Sequence, residues 1–159
     1  MEYITLKEKT GLKRFGIKTQ DGEDTGEYIE IDLEDIELPI KANECQARHF
    51  ENYKKLKNSL EEAKQKSDEV AENEIFSEKQ KATFEAYNEF YKAEEEALDL
   101  VLGKGATRKL LGGRKPYLMM YDDINGYLEQ ILPTMEETQK KLEQKIREKY
   151  QTKKEDDIL

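Results

Sequence analysis

The stretch "KRFGIKTQDGEDTGEYIEIDLEDIELPIKANECQARHF", Lys13 to Phe50, decides the fold because the spacing of its apolar residues changes part-way. Phe15 and Ile17 alternate with polar residues, and so do Ile29, Ile31 and Leu33, which gives each segment one apolar face and predicts two strands. Between them "QDGEDTG" is rich in turn formers, with Gly22 and Gly26 free to take positive φ. A β-hairpin over 13–33 follows. Pro39 then breaks the extended chain, since it cannot donate to a central ladder. From about Lys41 the spacing becomes three and four: Cys45, His49, Tyr53, Leu56, Leu60 and Ala63 define an amphipathic helix.

The helical pattern continues after the polar stretch "KQKSDEVAENE". Ser77 and Gln80 have capping-box spacing, in which the hydroxyl accepts an end N–H and the amide reaches back. Phe84, Tyr87, Tyr91, Leu98 and Leu102 form one stripe and Ala86, Phe90, Ala93, Ala97 and Val101 another, so this helix should be the central one. Gly103 and Gly105 stop it. A short helix fits 106–111, ended by Gly112 and Gly113. Pro116 suits the first turn of the next helix, whose face is Tyr117, Tyr121, Ile124, Tyr127 or Leu128, and Ile131. Pro133 ends that helix and begins another, carrying Met135, Leu142, Ile146 and Tyr150. The expected fold is mainly α within α+β, an N-terminal hairpin followed by a bundle of four to five helices. Residues 1–152 make one domain, with a helical part at 41–151 and a frayed tail at 153–159.

Composition narrows the function. The chain has 159 residues, 40% of them charged and 36% hydrophobic, which favours slender helical packing over a thick core. Asp and Glu outnumber Lys and Arg by 36 to 27, for a net charge of -9, a poor match to nucleic acid or anionic membranes. One cysteine permits no internal disulfide and fits a reducing cytoplasm. The start, Met-Glu-Tyr-Ile-Thr, lacks the basic and apolar regions of a signal peptide. No run approaches the ~20 apolar residues of a membrane span.

Chemistry is sparse. His49 lies one turn from Cys45 on the same apolar stripe, with no third group in view to orient the imidazole, so the pair reads as packed and not as a nucleophile. One Cys and one His cannot build a four-ligand zinc site. Asp21 to Glu37 holds nine acidic residues and no basic one, but without a calcium-loop pattern it reads as a solvated face. No metal or cofactor is implied, and no enzyme. Lys104, Arg108, Lys109, Arg114 and Lys115 make a window of five basic residues without an acidic one. The window lacks the spacing of a phosphate loop. Arg114 and Lys115 are the candidate anion contacts, at the N-terminus of the Pro116 helix. Otherwise these cations balance an acidic neighbour.

The order of elements, ending in "LGKGATRKLLGGRKPYLMMYDDINGYLEQILP" (Leu102 to Pro133), resembles the tail assembly chaperones of long-tailed phages and prophages of Gram-positive bacteria. The residues that carry the resemblance are Gly103 or Gly105 with Ala106, then Leu110-Leu111-Gly112, then the aromatic helix Tyr117 to Ile131 closed by Pro133. The resemblance implies a non-enzymatic protein of the bacterial host cytoplasm. Such a protein coats the tape-measure protein, contacts the tail tube protein, and leaves before the particle matures. Its interaction surface is expected at Leu110, Leu111, Tyr117, Met120, Tyr121 and Ile124, with the hairpin as a second contact. Met119, Met120 and Met135 offer adaptable apolar surface. Self-association, and a longer form made by frameshifting, stay open. Two other readings fit the same sequence: a minor structural or adaptor protein of the particle, and an acidic mimic that blocks a DNA-binding protein.

Overall fold

The computed structural model describes residues 1–6, 11–112 and 120–158. It is a mainly helical α+β fold: among the described residues an N-terminal two-stranded antiparallel hairpin is followed by four helices. The strands are β1 (Leu12–Lys18) and β2 (Asp24–Asp32), and the helices are α1 (Leu38–Lys64), α2 (Glu78–Leu102), α3 (Ala106–Leu110) and α4 (Met120–Ile158).

The hairpin forms as its alternation predicts. Phe15 pairs with Ile29 and Lys13 with Ile31, so one face collects the apolar residues, and the register shifts between Gly16 and Lys18. Ile29, Ile31 and Leu33 are buried, in one cluster with Leu38 of α1, Leu102 of α2, Ala106 of α3 and Met135 of α4. Every helix therefore contributes to covering the hairpin. Burying such side chains stabilises by roughly 1.5–3 kcal/mol each.

α1 begins at Leu38 and not near Lys41, with Pro39 inside its first turn. The missing proline N–H costs nothing there, because first-turn donors have no helical acceptor. Asp35 steadies this start: its carboxylate accepts from the Glu37 N–H at 2.9 Å and from Lys41 Nζ at 2.8 Å. Along α1 the stripe facing α2 passes through Asn52, whereas Tyr53, expected in it, is 58% exposed. Phe84 of α2, also expected inside, is 57% exposed.

α2 opens on the expected capping box, Ser77 accepting from the Gln80 N–H and Gln80 from the Ser77 N–H. It is the central helix, packed along α1 and touching α3 and β2 at its far end. Its exit is tight. Gly103 (φ 103°) and Gly105 (φ 79°) both adopt backbone conformations that a side chain resists. Asp99 clasps the turn, its carboxylate accepting from the N–H of Gly105 and of Thr107 at 3.0 Å each and from the Thr107 hydroxyl at 2.7 Å. Thr107 is fully buried.

The two helices expected on either side of Pro133 are one helix, α4. Pro133 is exposed within it, and a proline inside a helix removes one backbone hydrogen bond without necessarily ending the helix. The next turn anchors the helix through Met135, buried under the hairpin, and through Gln139, whose amide donates to the Leu33 carbonyl. α4 then continues to Ile158.

Asp99→Ala should cost about 1–3 kcal/mol by leaving buried donors without acceptors. Thermal unfolding followed by circular dichroism checks this, at about 2–4 °C per kcal/mol for a chain of this length. An unchanged melting temperature would remove Asp99 from this role. Asp35 gives a pH signature: above all the Lys41 ammonium holds its carboxyl below the ordinary 3.8. A depressed carboxyl stabilises the fold above about pH 4 and loses that contribution as pH falls through the folded-state value. Asp35→Asn should therefore weaken the protein near neutrality and leave it unchanged in strong acid, measured as denaturation midpoints at both extremes.

Candidate functional site

Three sets of side chains were candidates from the sequence, and they fall in different places. Cys45 and His49 lie on the α1 face that meets α2. The orienting group that seemed missing is present: both carboxylate oxygens of Glu94, on α2, sit 3.0 and 3.1 Å from His49 Nδ1. Asn52 Nδ2 donates to the same carboxylate at 3.1 Å. The arrangement suits an imidazole with its hydrogen on Nδ1, donating to the carboxylate. Glu94 is 2% exposed, and such a burial is tolerable only with its donors in place.

This constellation does not activate the thiol. Burial first, and then the Glu94 charge, push the Cys45 thiol up from its ordinary value, whereas a nucleophilic cysteine needs the opposite shift. Cys45 packs instead, as Tyr87 and Phe90 do, against the buried cluster of Tyr91, Leu98 and Leu111. Glu94, His49 and Asn52 form a polar layer between two helices, matched by one pairing of α1 with α2. A signal for it stood in the sequence. The stripe Tyr87, Tyr91, Leu98 has a seven-residue gap, and helical spacing puts Glu94 in it.

The basic window is partly consumed by neighbours. Arg108 Nε lies 2.6 Å from Glu95 of α2. Lys109 donates to the Tyr28 carbonyl at 3.3 Å, lies 3.9 Å from Glu27, and sits 5.5 Å over the Tyr28 ring. Arg108 thus ties α3 to α2, and Lys109 ties α3 to the hairpin. Arg114 and Lys115 lie outside the described residues, as do Gly113, Pro116, Tyr117 and Met119.

Of the expected interaction residues, Leu111 is buried against Tyr91 and Leu98, and Leu110 packs half-buried on the hairpin core. Both serve the packing of α3. Met120, Tyr121 and Ile124 fall in the first turns of α4, and their side chains are outside the described part. Exposed apolar surface lies elsewhere. Phe50 and Tyr53 on α1 are each 58% exposed, and Phe84 stands out from α2. Val70, Ile75 and Phe76 are exposed in the connection between the two helices. That connection is otherwise polar and folded back, with Lys81 on Glu74 at 3.0 Å and the Lys79 N–H on the Ser67 carbonyl at 3.2 Å. A second apolar region is a groove of about 490 Å³ beside α4, floored by Ile36, Pro39, Leu142 and Ile146.

No group of three or more His, Cys, Asp or Glu among the described residues could hold a metal ion. No described helix is long and apolar enough to cross a membrane. Comparison of the chain with protein-family models, with curated proteins and with solved structures found no match.

Glu94→Ala should destabilise the protein by about 1–3 kcal/mol, because it strips Asn52 and His49 of a buried acceptor. Glu94→Gln, which keeps a carbonyl acceptor, should lose less. Melting temperatures of the two variants, read side by side, check this ordering. Equal stability of Glu94→Ala and the parent would mean the layer contributes nothing.

Proposed function

We propose that this protein is a non-enzymatic tail assembly chaperone, which holds a tape-measure protein and meets the tail tube protein in the cytoplasm of the producing cell before the particle matures. The observation that carries the reading is the placement of Phe50, Tyr53 and Phe84. They are large aromatic side chains of two paired helices, and each leaves more than half of its surface in water. Phe50 lies 5.9 Å from the His49 ring, yet most of its surface, like that of Tyr53 and Phe84, stays solvated, which is unfavourable. Exposed aromatic positions on a rigid helical frame suit the apolar face of another amphipathic helix, the form expected of a tape-measure rod. The resemblance of Leu102 to Pro133 to the chaperone group supplies the identity of the partner.

Charge supports the same reading. A net charge of -9 repels loaded copies from one another, which keeps a long apolar cargo dispersed. The nine carboxylates between Asp21 and Glu37 concentrate that charge around the hairpin, away from Phe50, Tyr53 and Phe84 in the sequence.

Tagged protein should be recovered from particle-producing cells together with tape-measure and tube proteins, and be missing from purified mature particles, both read by mass spectrometry. Replacing Phe50, Tyr53 and Phe84 together by Ala should lower recovery of the tape-measure protein about tenfold or more, the loss expected for removing central aromatic contacts. Presence in mature particles would make the protein structural. Recovery of a host DNA-binding protein without tail proteins would replace the chaperone reading with charge mimicry.

A further inference from the structure

The groove beside α4 has a lip whose charges follow a particular order. Glu136, Lys140, Glu143 and Arg147 all line it. Their signs alternate, and their separations along the helix are four, three and four residues. That arrangement is symmetric with inversion of sign: read backwards, acid takes the place of base at every position.

We propose that this groove seats a second copy of the same chain, with the two α4 helices antiparallel about a twofold axis between residues 141 and 142. In that register Glu136 meets Arg147 of the second copy and Lys140 meets its Glu143, and the axis repeats both pairs. All four contacts are attractive. A parallel arrangement in register would oppose like charges at all four positions, so the pattern selects direction as well as partner.

The apolar floor agrees with the charges. Leu142 lies beside the axis and meets its own copy there, as an isologous contact requires. Ile36 is 74% exposed and Ile146 is 40% exposed, and both flank the groove where a second helix would cover them. Present interactions offer little resistance. Arg147 pairs with Glu143 within its own helix, but both side chains are well exposed, and such pairs contribute little stability. Apolar burial supplies the affinity, and the charges set register and salt sensitivity.

Sedimentation velocity of the full chain across the micromolar range tests the proposal, with two charge-uniform variants. One combines Lys140→Glu with Arg147→Glu, and the other combines Glu136→Lys with Glu143→Lys. The parent should sediment as a dimer. Each variant alone should fall to half that mass with its helical circular dichroism retained, and the equimolar mixture should return to the dimer. A separate probe leaves the charges untouched: Leu142→Cys in a Cys45→Ala background should form an intermolecular disulfide on mild oxidation. A monomeric parent, dimeric single variants, a mixture that stays monomeric, or no cross-link at position 142 would each overturn the proposal.

Discussion

The carboxylate of Glu94 cannot be left alone between two helices. It is almost completely removed from water, and its stabilisation comes from groups on the facing helix, His49 and Asn52. Sliding α1 along α2 by one turn would leave a buried charge facing apolar side chains, at a cost of several kcal/mol. Apolar stripes alone tolerate such slippage; a polar layer does not. Once that register is set, the end of α2 is placed as well. Asp99 then stands where it can clasp α3, and Leu102 where it can enter the hairpin core. The hairpin rests on a platform positioned, in sequence, by one glutamate.

Polar groups thus supply specificity, and apolar groups supply most of the stability. The same division runs along the surface. Arg108 and Lys109 are spent on Glu95 and on the hairpin, so these two cations of the basic stretch work as internal fastening. Phe50, Tyr53 and Phe84 remain more than half exposed, although the Phe50 ring lies 5.9 Å from that of His49. Leu110 and Leu111, by contrast, are taken up in packing against the hairpin core and α2.

Much of the fold was legible from spacing because spacing is what the backbone obeys. Period two gave the hairpin, the Ser77–Gln80 box the start of α2, and Gly103 its end, each through a local rule that the tertiary structure had no reason to override. What was illegible depended on neighbours distant in sequence. Tyr53 and Asn52 are adjacent, and only the location of Glu94 on another helix decides which faces inward. Leu110 and Leu111 look like free apolar surface until α3 is seen folded onto the hairpin and α2. Pro133 looks like a boundary until α4 is seen to run through it, with Met135 and Gln139 anchoring the helix just beyond. The candidate surface was the least legible part, because an exposed aromatic and a buried one share the same helical spacing.

The bond from Gln139 to the Leu33 carbonyl joins residues 106 positions apart, and Met135 closes the same core over the hairpin. On a ribosome moving at about 5–20 residues per second, the strands emerge roughly 5–20 s before the segment that covers them. For that interval the apolar face of the hairpin lacks part of its cover, since only Leu38 and later Leu102 and Ala106 are there to shield it, and exposed strands can stick to one another. Its high density of carboxylates then has a second use. Like charge on a stretch with nine carboxylates between Asp21 and Glu37 opposes such sticking between copies.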